Sequence, residues 1–287
     1  MGFAAFKAGM THVTMIDDTL SPSKGTEVMR PVTIFEVPKV YVYGIRFYSK
    51  PLYKEPGPSY YDQNLAKILG MSKTKHHDLS KLKADQRFVD ATALMFLDAS
   101  TLGFGNKSVM RFEIGVGGKT ASEKAEFIEK WLGKEIGVSE VLSDGEYVDV
   151  TSISKGKGWS GVIKRFGVAR QMRKATNKIR HVGTLGPWHP AKVTYMVPMA
   201  GHMGYNYRTE VNKRVLMVGK KENAGTVSVR GGYLNYGGIG SDFIVIDGSV
   251  PGPAKRLVRI RKALRKPEAE PKKPEIKYIS LASKQGA

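Results

Sequence analysis

Short runs of β-branched and aromatic residues recur along the chain, cut by glycine and proline, and one segment carries a strong helical stripe. Residues 1–50 read as β-rich. Val32-Thr33-Ile34-Phe35-Glu36-Val37 and Val40-Tyr41-Val42-Tyr43 are strand-like runs punctuated by Pro31, Pro38 and Gly44. Residues 51–58 hold three prolines and a glycine and mark a boundary. Beyond it, residues 60–84 predict one or two short helices, such as 61–69 ended by Gly70, and 88–97 and 109–116 read as strands. Residues 121–132 give the clearest helix. Ala125, Ile128 and Trp131/Leu132 fall on one stripe, Thr120 and Glu123 form a capping box, and Gly133 occupies the stop position.

Strand character resumes at 147–153 and recurs at 193–197, 214–218, 243–246 and 257–260. Short strands between glycine turns predict a sandwich or barrel, interrupted by a compact α+β insert over 59–146. From Pro267 to the end the chain alternates Pro, Lys and Glu, which predicts an extended tail, poorly ordered unless it docks.

Charge changes this picture more than composition does. The formal charge is +20 over 287 residues, yet residues 59–150 carry fourteen acids against twelve bases. Residues 150–209 contain no Asp or Glu in sixty positions, while holding eleven Lys or Arg, three His, eight Gly and two of the three Trp. A second cluster, residues 255–266, packs seven bases into twelve positions without an acid. Charge run together in this way, beside a near-neutral module, reads as a binding surface. The bland alternative is a solvated charged face. Against it stand the length of the acid-free window and the aromatics inside it: Trp159, Phe166, Trp188, Tyr205 and Tyr207. Aromatics stack on unpaired bases while Lys and Arg hold phosphates, so the expected partner is nucleic acid. The window cannot neutralise itself or close a core of its own, and should be fixed only against an outside polyanion.

Other classes find less support. The chain has no cysteine, which removes disulfides, thiolate nucleophiles and Cys-based zinc sites and fits an intracellular protein. No apolar run approaches the roughly 20 residues that span a bilayer, and no secretory signal opens the chain. Gly156-Lys157-Gly158-Trp159-Ser160-Gly161 matches G-x-G-x-x-G, but the residues after it, 162–167, make a poor helix start, and the next acid is Glu210. A backbone that lets phosphates come close, with Lys155 and Lys157 as charge contacts, is the better reading. Gly115-Val116-Gly117-Gly118-Lys119-Thr120 resembles a P-loop, yet Glu113 stands where the first glycine is required. A glycine turn into a capped helix suffices. Of six histidines only His76 and His77 are adjacent, and no metal-ligand spacing accompanies them. No catalytic, metal or cofactor site is expected. The enzyme alternative is an RNA-modifying or nucleotide-using protein with a basic RNA channel; a free DNA-binding architectural protein is a third class.

Several motifs together resemble one family. They are Gly2-Phe3-Ala4-Ala5-Phe6-Lys7-Ala8-Gly9-Met10-Thr11-His12; Gly156 through Gly167; Leu185-Gly186-Pro187-Trp188-His189-Pro190-Ala191; Gly201-His202-Met203-Gly204-Tyr205 with Arg208-Thr209-Glu210-Val211-Asn212-Lys213; and Gly248-Ser249-Val250-Pro251-Gly252-Pro253. From residue 2 to about 280 the chain resembles large-subunit ribosomal protein three, the universal "L-three" family, in its archaeal form.

The resemblance implies a mainly β fold: a translation-protein-like six-stranded β-barrel from 1–58 and 147–266, the α+β insert at 59–146, a long basic finger at 155–209 and an extended tail at 267–287. It implies a cytoplasmic, non-enzymatic constituent of the large subunit, partnered by rRNA and neighbouring ribosomal proteins. Such a protein nucleates early assembly and extends its finger toward the peptidyl-transferase centre. Trp188 matches the finger-tip tryptophan, beside His189 and Pro190. The expected rRNA contacts are Lys155, Lys157, Trp159, Lys164, Arg165, Arg170, Arg173, Lys174, Lys178, Arg180, Trp188 and His189 on the finger, with Lys255, Arg256, Arg259 and Arg261 in the second cluster. Archaeal and eukaryotic relatives usually carry an arginine-rich extension before the first motif, where this chain begins; either the lineage lacks it or the start is trimmed.

Overall fold

A computed structural model describes residues 2–49, 56–71, 77–106, 108–175, 177–265 and 272–285. It is mainly β, with several sheets and short helices. In chain order the elements are β1 (Phe3–Ile16), β2 (Glu27–Val37), β3 (Val40–Tyr48), β4 (Pro56–Tyr61), α1 (Gln63–Ile68), α2 (Leu79–Ala84), β5 (Asp90–Asp98), β6 (Val109–Gly115), α3 (Ala121–Glu129), β7 (Glu135–Ile136) and α4 (Val138–Val141). There follow β8 (Tyr147–Ile153), β9 (Trp159–Ser160), α5 (Val162–Phe166), β10 (Gly201–His202), β11 (Tyr207–Gly219), β12 (Asp242–Asp247), β13 (Leu257–Lys262) and β14 (Ile276–Ile279). The chain divides into two compact units, Met1–Ser152 with Thr209–Ala287, and Ile153–Arg208.

In the first unit a seven-stranded sheet runs β13-β8-β11-β12-β2-β1-β14, and β13 also pairs with β1. A second sheet runs β4-β3-β5-β6, with β7 on β3. Alternation drives the pairing. Along β1, Thr11, Val13 and Met15 are buried while Met10, His12 and Thr14 are not, and the buried set faces inward from a long antiparallel ladder with β2. Phe3, Phe6, Phe35, Phe47 and Phe243 are all buried in one cluster that takes residues from both sheets. Each such ring contributes about 1.5–3 kcal/mol by leaving water.

The first and last of the motifs quoted above meet in this unit. The Lys7 ammonium is buried and donates to the carbonyls of Val250 (2.8 Å) and Gly252 (3.2 Å). Gly9 lies flat under Tyr233: a Cβ there would stand 2.3 Å from the ring's Cδ1. Buried Glu36 accepts from the Tyr236 hydroxyl (2.6 Å) and from the N–H groups of Gly240 (2.7 Å) and Ser241 (2.9 Å). A carboxylate out of water requires such donors.

The α+β segment shows how local signals became structure. Asp62 caps α1, its side chain accepting from Leu65 N–H at 3.0 Å, and Gly70 adopts φ +68°. Thr120 caps α3 by accepting from Glu123 N–H (3.3 Å), while the Glu123 carboxylate accepts from Lys119 N–H (2.9 Å). The P-loop-like turn is thus a helix cap whose amide is already bound by an acid. The helix ends at Glu129, not at 132. Trp131 and Leu132 close with i→i−3 bonds to Ile128 and Glu129.

Three expectations need correction. Val40–Tyr48 pairs in the second sheet, so the sheets divide in the Pro38 turn and not at residue 58; the segment is buried almost throughout and needs neighbours on both sides, β4 and β5. Residues 193–197 form a turn, with Val197 N–H on the Thr194 carbonyl (3.2 Å), because no strand lies beside them. A short helix does open after Gly161: Gly167 at φ +71° ends it, its N–H on the Ile163 carbonyl (2.9 Å). The tail past 271 is extended and docks, as its composition allowed: it includes strand β14, antiparallel to β1 through Val13↔Ile279 and Thr14↔Tyr278. Residues 51–55 of the proposed boundary, His76 and residues 266–271 lie outside the described residues.

Candidate nucleic-acid interface

The unit Ile153–Arg208 is the acid-free window as a folded object. Its two chain segments pair near the ends. Ser154 N–H donates to the Asn206 carbonyl (2.9 Å), Tyr205 N–H to Lys155 (3.3 Å), Lys157 N–H to Met203 (2.9 Å) and Met203 N–H to Gly158 (3.0 Å). Strands β9 and β10 continue the ladder, with Trp159 opposite His202 and Ser160 opposite Gly201. Glycine is required here. Gly204 has φ +75°, and a Cβ on it would fall 2.0 Å from the Lys155 carbonyl oxygen.

Past Gly167 the ladder gives way to isolated ties. Gln171 N–H reaches the Ile179 carbonyl (3.0 Å) and its side-chain amide the His181 carbonyl (3.4 Å). Other backbone bonds there are local, such as Lys192 N–H to Pro190 (2.7 Å). Among the described residues, Val162 is the one buried apolar side chain of this unit. Fixing a residue's backbone costs about 1–2 kcal/mol, whereas a hydrogen bond returns about 0.5–1.5 kcal/mol net. Among the described residues of 168–200 no side chain is buried, so little apolar burial offsets that cost.

The exposed face is cationic and aromatic. Lys155, Lys157, Lys164, Arg170, Arg173, Lys174, Lys178 and Arg180 are all exposed. Among the described residues, no Lys or Arg of this unit forms an ion pair. Trp159 is 79% exposed and Trp188 86%, and His189 is exposed beside it. In the first unit Lys255 and Arg259 are exposed and Arg256 is half-buried.

Two of the expected contacts also have partners within the protein. Arg165 donates through Nη1 to the Met199 carbonyl (2.8 Å), and its guanidinium carbon lies 5.0 Å from the centre of the Phe166 ring. It works as an internal strut, because the helix turn aims it back at the returning segment. Arg261 pairs with buried Asp149 (3.1 Å), which lies opposite it across β13 and β8; Asp149 also accepts from Asn212 N–H (3.1 Å). The acid just before the window thus pairs with a base of the second cluster, whose side chain stays 51% exposed.

Sequence reasoning missed Tyr195, 93% exposed, whose stretch resembles a strand, and Lys192 and Arg208, exposed bases of the same window. It also left His202 without a partner, since cross-strand register cannot be read from composition. No acid in the unit could hold a ribose beside the G-x-G-x-x-G turn. Among the described residues, no group of three His, Asp or Glu could hold a metal ion.

The family model described as "Ribosomal protein L3" matches residues 1–91 and 67–286. The "Large ribosomal subunit protein uL3" of Methanocorpusculum labreanum is 44% identical over 296 residues, covering 99% of this chain and 88% of that protein. The protein of the same name from Methanospirillum hungatei is 43% identical, with 99% and 88% covered. That of Methanothermobacter thermautotrophicus is 39% identical, with 100% and 88% covered. The glycine cradles, the buried Lys7 and the bare cationic unit therefore sit in a sequence matched end to end, and the chain belongs to the ribosomal protein L3 family.

Proposed function

We propose that this protein is a structural, non-catalytic constituent of the large ribosomal subunit. It binds large-subunit rRNA through the unit Ile153–Arg208, takes part in early subunit assembly, and extends that unit as a finger toward the peptidyl-transferase centre. Its partners are the rRNA and neighbouring large-subunit proteins, in the cytoplasmic ribosome. The observation that carries the reading is the acid-free unit itself: exposed bases without ion pairs, exposed Trp159 and Trp188, and almost no core. Lys and Arg would neutralise phosphates and set position, while the aromatics meet unpaired bases.

The body that carries the finger is a six-stranded barrel. Supporting this, β13-β8-β11-β12-β2-β1 run in order and β1 pairs with β13, so the six strands have neighbours all the way round. The insert then comprises β3 to α4, and the segment from 267 onward is a tail that docks through β14. No helix among the described residues is long and apolar enough to cross a membrane.

Sedimentation tests the reading. The native protein is expected to travel with large-subunit particles through a high-salt wash. Recovery in the soluble fraction at ordinary salt would overturn it.

A further inference from the structure

We propose that Trp159 and His202 form a preformed platform on which an unpaired RNA base stacks, separate from any contact made by Trp188. The inference rests on the rRNA-binding reading and adds the kind of nucleotide this part of the unit accepts.

The backbone under the two rings is set by the chain's own bonds. Lys157 N–H to Met203 and Met203 N–H to Gly158 hold the segments together just before Trp159 and His202 come opposite each other. Directly opposed residues of an antiparallel pair lie on one face, with Cβ atoms about 4.5–5.5 Å apart. Both side chains are exposed, Trp159 by 79%. A large ring in an ordered strand gains by leaving water, so one left outside offers its face to something else.

Arg165 fixes the platform from behind. Its guanidinium donates to the Met199 carbonyl two residues before β10, and a Cβ on Gly201 would stand 2.7 Å from Nη1. A side chain on Gly201 would push that guanidinium aside. Arg165 is thus a positioning residue, which explains why a base in this cationic unit points inward.

Charge selects the occupant. Lys155 and Lys157 precede Trp159 on the same segment, both are exposed, and the whole unit lacks a carboxylate. That favours a polyanion over an apolar protein surface. Bases within a duplex already stack on one another, so an unpaired base is the one with a free face.

The test uses the full-length protein with two probes, an oligouridylate single strand and an RNA duplex of equal length. Trp159→Ala should weaken single-strand binding about tenfold, leaving the salt dependence and the duplex affinity as in the wild type. Trp159→Tyr, which keeps an aromatic face, should recover most of the loss. Arg165→Lys, which keeps the charge, should reproduce the single-strand defect. An Ala variant that binds both probes normally, or loses both equally, overturns the platform, as does a Tyr variant no better than Ala. A wild type that binds neither probe in a salt-dependent way refutes the underlying RNA reading instead, so the two failures are distinguishable.

Discussion

The Lys7 ammonium sits 2.8 Å from the Val250 carbonyl oxygen, joining residues 243 positions apart in a buried setting. A cation there is an internal tie between the first strand and the loop before β13. Lys7→Met would keep the stem's packing and leave the Val250 and Gly252 carbonyls without this donor. We expect a loss of about 1–3 kcal/mol in urea unfolding, with no change in the salt dependence of RNA binding. A shallower salt dependence instead would place Lys7 on phosphate.

Gly204 and Gly158 make a matched pair of tests. Both have positive φ, +75° and +64°, but a Cβ on Gly204 collides with the Lys155 backbone whereas Gly158 has open space around it. Gly204→Ala should abolish amide-exchange protection at Lys157 and Met203, with the first unit's protection intact. Gly158→Ala should cost only the left-handed strain, about 1 kcal/mol. Equal effects of the two would remove the steric account.

Much of the fold was legible because its signals are local. Strand β8 falls at 147–153 as the residue types indicate, and Thr120 and Gly70 punctuate helices through a bond and a dihedral that depend on near neighbours. What could not be read depends on distant pairing. Nothing local shows that Val40–Tyr48 joins a different sheet from Glu27–Val37, or that residues 193–197, strand-like by type, find no neighbour. The site divides in the same way. Composition isolates the acid-free window, but only the folded chain shows that the half-exposed Arg165 is tied to Met199 while Lys155 and Lys157 stay exposed, and that Arg261, itself exposed, pairs with Asp149.

Asp17 supplies a pH dependence. The Ser23 hydroxyl, then the Thr19 hydroxyl and N–H, hold its carboxyl well below the ordinary value of 3.8. A depressed folded value means that the stabilisation is present above about pH 3.8 and is lost as pH falls through the folded value. Asp17→Asn should therefore be less stable than wild type at pH 7, with the gap narrowing below pH 4 in urea titrations. A gap that stays constant into acid would show that the carboxylate's charge is not what the hydroxyls hold.

Trp188 separates fold from function. At 86% exposure it contributes nothing to a core. Trp188→Ala should unfold within about 0.5 kcal/mol of wild type, yet impair ribosomes at the peptidyl-transferase region. Unfolding of the purified variant would mean that the ring is packed.

The salt dependence of binding to large-subunit rRNA tests the central claim most directly. If the exposed bases of Ile153–Arg208 neutralise phosphates, log K should fall with log salt at a slope of about −5 or steeper, since each phosphate adds roughly 0.7–0.9. Replacing Arg170, Arg173, Lys174 and Lys178 together should flatten that slope by about 3. A wild-type slope of about −1 to −2, or one untouched by those four changes, would contradict the account.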